Sequence, residues 1–554
     1  MNTLDCIVVG YNEMPFDKYE PLIRRYGEDS EVYRDLKFSF VDIGGKPTNY
    51  VDLMNLALRA ASAGQERPVA PFRSGEIPNL AAVYLCNFLR RHRLGARYIN
   101  LFQDEKDLFA QWLEQEPVCV AITTTFYILN FPVNEIVQFV RSCNPRIKIV
   151  VGGPLVSNHL RNLDGNVLEA ALADMQADFY VLDSQGEMTL ASLVAALKNG
   201  NDVGHVPNLA YFDGKQLVRT PLVPETNSMD ESDIKWREFA VESHLGRTIQ
   251  MRTARSCAFK CAFCNYPKRA GALSLASLDT IERELDSIRL IDDVSQVVFI
   301  DDTFNVPLPR FKDLCRLMIR KKFGFNWFSY FRCSNADEEA FDLMAQSGCK
   351  GVFLGIESGS PAILKNMNKA ATIERYAEGI RSLRQRNILT FASFIVGFPG
   401  ETGDTVNETT AFIRQQRPDF YRAQMWYCEP GTPILQERAK YDIRGDGFVW
   451  EHATMTSLEA MDCIEDMFLA VEESSWLPQW SFDFWFIPYI VGRGMSIAEF
   501  KTFVSAANQM LAMDIAPSSS IEKERDQKRC LARITSLMKS LNQKLVCADA
   551  RSLR

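Results

Sequence analysis

The sequence predicts an α/β protein built from two sheet-forming units and a helical C-terminal part. Three observations predict it. Between about residues 77 and 200, short apolar runs rich in β-branched residues alternate with amphipathic helical segments. The alternation returns over residues 248–433, where six apolar runs each lead into a polar or glycine-bearing loop. After residue 433 the spacing turns helical and rich in aromatic residues. Strands alternating with helices make a parallel sheet covered by helices, and such sheets bind ligands beyond the carboxyl ends of their strands. At 554 residues the chain is too long for a single core.

The elements follow in order. Residues 4–10 (LDCIVVG) read as a buried strand, and residues 15–75 as helices and loops. Residues 79–93 have helical apolar spacing with arginines at the C-terminal end, where positive charge suits the helix dipole. Residues 96–101, 118–123, 147–151 and 177–182 read as strands, with helices at 105–115, 134–143 and from the Asp183-Ser184-Gln185-Gly186-Glu187 turn to about Leu197. These predict a doubly wound domain over residues 1–200, with an N-terminal extension. Residues 201–247 read as a linker carrying a small hairpin at 208–219. In the second unit the strands are expected at 248–253, 296–301, 325–332, 352–357, 389–396 and 421–427. Six strands over 248–433 predict a partial (β/α)6 barrel, since a complete eight-stranded one takes roughly 250 residues. Residues 434–554 are expected to form a helical cap. Its apolar stretch from Trp476 to Tyr489 holds Asp483 and two prolines, and reads as a buried or substrate-facing helix, not a membrane span.

Composition excludes some classes. A net charge of −8 argues against a nucleic-acid surface built on a general basic excess. Fourteen cysteines without a small-scaffold disulfide pattern suit a reducing compartment, and the N-terminal stretch lacks the charged n-region of a signal peptide. A cytoplasmic monomer is expected, without membrane or nucleic-acid partners.

The chemistry concentrates at Cys257, Cys261 and Cys264, a C-x3-C-x2-C spacing. Thiolates are soft ligands suited to zinc or iron–sulfur clusters. A structural zinc site needs a fourth Cys or His nearby, and here the next cysteine is Cys315. Three ligands fit a 4Fe–4S cluster whose fourth iron is open. With Phe263 just before the last cysteine, and with strand-end motifs G-I-E-S (355–358) and G-F-P-G-E-T (397–402) in order behind it, the unit resembles the radical S-adenosylmethionine (SAM) superfamily. The resemblance implies that Cys257, Cys261 and Cys264 hold the cluster. It also implies that Phe263, Asp301, Glu357, Ser358, Ile395 and Gly397 contact SAM: Asp301 the amino group, Glu357 and Ser358 the ribose or methionine part, Ile395 and Gly397 the adenine.

The N-terminal unit, through Gly152-Gly153-Pro154 to the D-S-Q-G-E turn, resembles the cobalamin-binding domain that precedes many radical SAM domains. It implies a Rossmann-like cobalamin site formed by Thr124, Thr125, Tyr127, Gly152, Gly153, Gln185, Gly186 and Glu187. The D-x-H-x-x-G motif that supplies a histidine to cobalt is absent, so a histidine from that motif is not expected as a ligand. The whole resembles cobalamin-dependent radical SAM methyltransferases. These use methylcobalamin and a 5′-deoxyadenosyl radical to methylate unreactive carbon, or phosphinate phosphorus, in small natural-product or peptide substrates. The stretches Gly10–Phe16 and Tyr33–Leu36 also resemble the phosphinothricin-type P-methyltransferases. An electron donor such as flavodoxin or ferredoxin is implied. Gln424, Trp426 and Glu429 are candidate substrate contacts, and Tyr330 and Tyr427 candidate catalytic residues, because they lie on or just past strands that face the barrel. Two competitors remain: a cobalamin radical SAM enzyme that rearranges, cyclises or oxidises without methylating, and a non-catalytic iron–sulfur redox sensor.

Overall fold

A computed structural model describes residues 4–63, 69–73, 76–183, 185–242, 245–480, 482, 484–516 and 520–552. Ser184 of the D-S-Q-G-E turn and Asp483 lie outside the described residues. The first half contributes β1 (Cys6–Tyr11), β2 (Phe40–Ile43), β3 (Lys46–Asn49), β4 (Ala96–Leu101), β5 (Cys119–Thr123), β6 (Lys148–Gly152), β7 (Phe179–Val181), β8 (Leu209–Asp213) and β9 (Gln216–Arg219). The first sheet runs β4-β1-β5-β6-β7-β8-β9, parallel from β4 to β7. Chain order reverses at β1, so the crevice between the ends of β1 and β5 is the topological switch point. The central strands are buried on both faces, which is why they read as continuous apolar runs.

The hairpin β8–β9, expected within a linker, is instead the antiparallel edge of this sheet, with Leu209 and Ala210 buried against β7. The chain behind it is packed as well. The Glu225 carboxylate accepts from the N–H groups of Met188 and Thr189, at 2.8 Å each, and so caps the helix Glu187–Asn199. Trp236 is fully buried and donates Nε1–H to Glu284 at 3.0 Å.

The second unit holds β10 (Thr248–Met251), a short antiparallel pair β11 (Ala254–Arg255) and β12 (Ser274–Leu275), then β13 (Gln296–Phe299), β14 (Asn326–Phe331), β15 (Cys349–Glu357), β16 (Leu389–Val396) and β17 (Phe420–Met425). The C-terminal part adds β18 (Arg444–Asp446), β19 (Val449–His452), β20 (Met455–Thr456) and β21 (Ser475–Trp476). The second sheet is parallel throughout, β10-β13-β14-β15-β16-β17-β21. It is the expected partial barrel with one short strand added from the C-terminal part. Phe299 stacks on Phe304 at 4.3 Å and both meet the edge of Trp327, filling the space under its helices.

The C-terminal part is largely helical, with the helices Ser457–Ala470, Ile497–Ile515 and Ser520–Ser552. In the stretch expected to be a helix from Trp476 to Tyr489, the described residues are the end of β21 followed by irregular backbone. Its helix starts only at Phe486. The reason is Arg422: its buried guanidinium donates to the carbonyls of Leu477, Pro478 and Phe482 at 2.7–3.1 Å, taking acceptors that a helix would use internally. The described residues between 15 and 75 form three helices and the hairpin β2–β3, which was not expected. They pack on the far end of the chain. Arg34 pairs with Asp462 at 2.6 Å and Glu465 at 2.9 Å, Tyr19 stacks on Trp480 at 4.4 Å, and Tyr50 donates to Asn508 at 2.7 Å. No helix among the described residues is long and apolar enough to cross a membrane.

One buried acid makes this packing pH-sensitive. Burial pushes the Glu284 carboxyl from 4.5 up to about 8. The folded protein therefore holds a proton that the unfolded chain releases, and the stability this contributes is lost as pH rises from about 4.5 through about 8. Urea titrations of wild type and Glu284→Gln across pH 5–9 should show the wild type weakening with pH more steeply than the variant. Equal slopes would show that Glu284 is ionised in the fold.

Candidate functional site: a cysteine loop and a cavity between two sheets

The three cysteines sit on a loop past β11, held by distant backbone. Ala262 donates its N–H to Met367 O at 2.8 Å, Ile434 donates to Ala262 O at 2.9 Å, and Asn368 donates Nδ2–H to Lys260 O at 2.8 Å. Cys261 is buried; Cys257 and Cys264 are half-buried. Their protein contacts are weak: Cys257 Sγ lies 3.5 Å from Thr303 Oγ1, and Cys264 Sγ accepts from Tyr266 N–H at 3.4 Å. Burial pushes Cys261 up and Cys264 to about 11, while Lys369 and Arg332 pull Cys261 back. Metal binding would replace those thiol protons. Among the described residues no three Cys, His, Asp or Glu side chains converge on one ion position. A donor set spread along one loop fits a multi-iron cluster, in which each thiolate takes a different iron, better than a single ion.

Asp301, expected at the SAM amino group, is turned the other way. Its fully buried carboxylate accepts from Thr253 N–H at 2.6 Å, from the Thr253 hydroxyl, and from Ala254 N–H at 3.0 Å. Arg310 braces the same turn through Thr253 O and Ala276 O, both at 2.9 Å. It is Asp302, at the start of the turn that follows, that lines the cavity, its carboxyl raised to about 6 chiefly by desolvation at the cavity wall and then by Asp301.

The other expected SAM contacts gather at the ends of β15 and β16. Glu357 has a left-handed backbone, φ +72°, at a register shift between β15 and β16. Its Oε1 holds the buried Lys369 ammonium at 2.8 Å. A Cβ at Gly355 would come within 2.6 Å of that oxygen, which accounts for the glycine of the G-I-E-S stretch. Lys369 also lies 5.4 Å from the centre of the Phe263 ring, and Phe263 meets Phe398 edge-on at 6.4 Å. Ser358 is engaged with Thr409 Oγ1 at 3.2 Å and Ser360 N–H at 3.1 Å. Gly397 has φ +87°, and any Cβ there would lie 2.4 Å from the Trp450 ring. Its N–H and that of Phe398 donate to Glu401, whose carboxyl burial raises to about 7.

Among the substrate and catalytic candidates, Trp426 is buried on this same side, 5.8 Å from Phe398 and 5.2 Å from Trp450. Tyr330, Ile395 and Gln424 are incompletely buried positions of largely buried strands, with Ile395 opposite Gln424 in register. Tyr330 packs on Phe353 and Phe484. Tyr427 and Glu429 lie past β17, Tyr427 partly exposed against Phe448.

A cavity of about 440 Å³ lies between the carboxyl ends of the first sheet and the cysteine-loop side of the second. Of the expected cobalamin residues, Thr125, Gly152, Gly153, Gln185, Gly186 and Glu187 line it. Thr124 and Tyr127 do not. The Thr124 hydroxyl donates to Gly152 O at 2.9 Å, and the Tyr127 hydroxyl accepts Asn12 N–H at 2.7 Å. Thr124 also gives Gly153 a reason independent of any ligand: at φ +111°, a Cβ there would be 2.9 Å from Thr124 Oγ1. Leu80, Tyr84 and Ile122 supply apolar wall, while Arg252, Arg255, Tyr266 and Asp302 come from the second unit. Sequence reasoning missed these four. Their one visible signal was position, since all flank the cysteine loop or a strand end. Glycine-lined backbone at the carboxyl ends of parallel strands, apolar wall and convergent donors fit a large, amide-rimmed cofactor such as a corrin.

The opposite roles of the two neighbouring aspartates are testable. Asp301→Asn should put an amide against backbone donors, lower the melting temperature, cost about 1–3 kcal/mol, and reduce iron retained after anaerobic reconstitution. Asp302→Asn should leave melting and iron content near wild type. The reverse pattern would overturn the assignment. Changing any one of the three cysteines to Ala should abolish the cluster's visible absorption without loss of helical circular dichroism.

Comparison with known proteins agrees with this geometry. Residues 251–413 match the Radical SAM superfamily model. An uncharacterized methyltransferase of Pyrococcus horikoshii is 24% identical over 366 residues, 65% of this chain and 78% of that protein. The anaerobic magnesium-protoporphyrin IX monomethyl ester cyclase of Rubrivivax gelatinosus is 28% identical over 58% of this chain, and the match spans only 57% of that enzyme. A cytidylyl-2-hydroxyethylphosphonate methyltransferase of Streptomyces wedmorensis is 24% identical over 62% of this chain and 70% of its own length. Among solved structures, the radical SAM methyltransferase TsrM of Kitasatospora setae aligns with a TM-score of 0.54 at 21% identity, covering 66% of this chain and 73% of TsrM. The cobalamin-dependent radical SAM enzyme OxsB aligns at 0.52 and 16% identity, covering 80% of this chain and 66% of OxsB. From the cysteine loop, the strand-end turns and these likenesses together, the chain carries a radical SAM domain and is an enzyme of that superfamily with relatives named as methyltransferases, and it shares the fold of TsrM and OxsB.

Proposed function

We propose that this protein is a cobalamin-dependent radical SAM methyltransferase that methylates an unreactive carbon, or a phosphinate phosphorus, of a small natural-product or peptide substrate. The observation that carries the reading is the cavity at the carboxyl ends of β5, β6 and β7, one wall of which is built by the segments that lead into and out of the cysteine loop. When bound, the cluster supplies electrons for reductive cleavage of SAM and the corrin supplies a methyl-carrying cobalt. Cys257, Cys261 and Cys264 hold the irons. Phe263, Glu357 with Lys369, and the Gly397 turn flank SAM, with Phe398 and Trp426 shielding that side from water. Thr125, Gly152, Gly153, Gln185, Gly186 and Glu187 receive the corrin. Tyr330 and Gln424, incompletely buried on the second sheet, face the substrate. They mix a ring with polar groups, which suits a polar substrate. An electron donor of the flavodoxin or ferredoxin type completes the system.

The P-methyltransferase-like stretches do not narrow the substrate, because their side chains serve packing. Asn12 donates to Pro132 O and Glu135 at 3.0 Å, Arg34 bridges to Asp462 and Glu465, and Tyr33 donates to Glu20 at 2.6 Å. The likeness to a phosphonate methyltransferase keeps phosphorus-bearing substrates in view. A second reading, a cobalamin radical SAM enzyme that cyclises its substrate without methylating, is favoured by the 28% identity to a cyclase.

Anaerobic reconstitution with iron, sulfide and cobalamin, followed by reductant, SAM and extracts rich in small metabolites, separates the readings. Methyl transfer should yield S-adenosylhomocysteine together with 5′-deoxyadenosine. Deoxyadenosine alone would favour the cyclase-type reading. Neither product, with an intact redox-active cluster, would favour a sensor.

A further inference from the structure

The cavity wall contains a guanidinium one of whose nitrogens has no acceptor among the described residues. Arg255 stands two residues before Cys257 and lines the cavity with its side chain only 6% exposed. Nη1 donates to Gln185 Oε1 and to Asn227 O, the latter at 3.4 Å. Nη2 lies 3.7 Å from Glu187 Oε1, beyond hydrogen-bond distance, and is buried with no acceptor among the described residues. Buried donors are rarely left so, because desolvation without a hydrogen bond is destabilising.

The groups around it are themselves tied. Asn227 Nδ2 donates to Glu187 Oε2 at 3.1 Å and to Glu225 Oε2 at 2.7 Å, and Glu225 N–H donates to Asp183 Oδ2 at 3.2 Å. The guanidinium plane is therefore set by the first sheet's turn and the packed strap, while its backbone belongs to β11, at the entry to the cysteine loop.

We propose that Arg255 is a ligand-binding residue of this cavity: its Nη2 donates to a carboxamide oxygen on the rim of the bound corrin and ties that ligand to the strand entering the cysteine loop. The inference rests on the corrin reading above. A neutral oxygen is specified because Glu187 already balances the guanidinium charge and would repel an anion brought beside it. A corrin carries both candidate acceptors, carboxamides around its rim and one phosphate in its nucleotide tail.

The test uses the full chain with its cluster reconstituted, titrated anaerobically with hydroxocobalamin and with cobinamide, which keeps the carboxamides and lacks the phosphate. Arg255→Lys keeps the charge and loses the second N–H arm. It should bind both corrins about tenfold or more weakly than wild type, with iron content and unfolding midpoint unchanged. Arg255→Met should be weaker still; if it fails to fold, the Lys variant decides. Wild-type affinity of the Lys variant for both corrins would overturn the proposal. A loss seen with hydroxocobalamin alone would overturn it too, by placing the contact on the phosphate. If wild type binds neither corrin, the corrin reading fails first; if wild type binds and the variants bind equally well, only the role of Arg255 fails.

Discussion

A carboxylate shut away from water holds the reactive loop in place. Asp301 accepts two backbone N–H groups and a hydroxyl from Thr253 and Ala254, and burial leaves it no alternative partners. Hydrogen bonds to a charged acceptor are strong, and an unmet one in the interior is costly. This clamp stops β10 from running on and starts the short β11. It thereby sets where Arg255 and Cys257 leave the sheet. With Asp301 fixed in this clamp, it is the neighbouring Asp302 that lines the cavity. The cysteine loop, the cavity wall and the contact with the first sheet all follow from that one turn.

The cavity exists because two parallel sheets present their carboxyl ends to each other. Arg255 joins the two units directly through Gln185, and further contacts that hold them in register lie outside both. The strap from Glu225 to Trp236 is fastened at one end to the helix after the D-S-Q-G-E turn and at the other to Glu284. The N-terminal extension grips the C-terminal helices through Arg34, Tyr19 and Tyr50. The cap is thus a joint product of both chain ends.

Strands legible in the sequence were those buried on both faces. Residues 389–396 read as a strand because the run is mostly apolar and rich in β-branched and aromatic residues, and β16 has those bounds. The added edge β8–β9 and the hairpin β2–β3 depend on partners elsewhere and could be read only as local hairpin or loop. The site was legible where chemistry is local: three thiols within eight residues, and glycines at tight turns. It was not legible where orientation decides. Thr124 and Thr125 are neighbours with equal chemistry, yet one braces Gly152 and the other lines the cavity. Glu357 looked like a ribose acceptor, and its first partner is Lys369, twelve residues on and across a turn.

By itself the sequence determined two parallel α/β units, a C-x3-C-x2-C loop at the head of the second, and the turns that bend sharply, because hydrophobic period, ligand spacing and glycine need no distant partner. Only the tertiary structure decided which carboxylate faces the cavity, that the supposed linker is sheet edge and strap, and that Arg255 reaches from the cysteine loop into the first sheet's pocket. Those outcomes depend on register, burial and contacts between residues far apart in the chain, and local spacing carries none of that information.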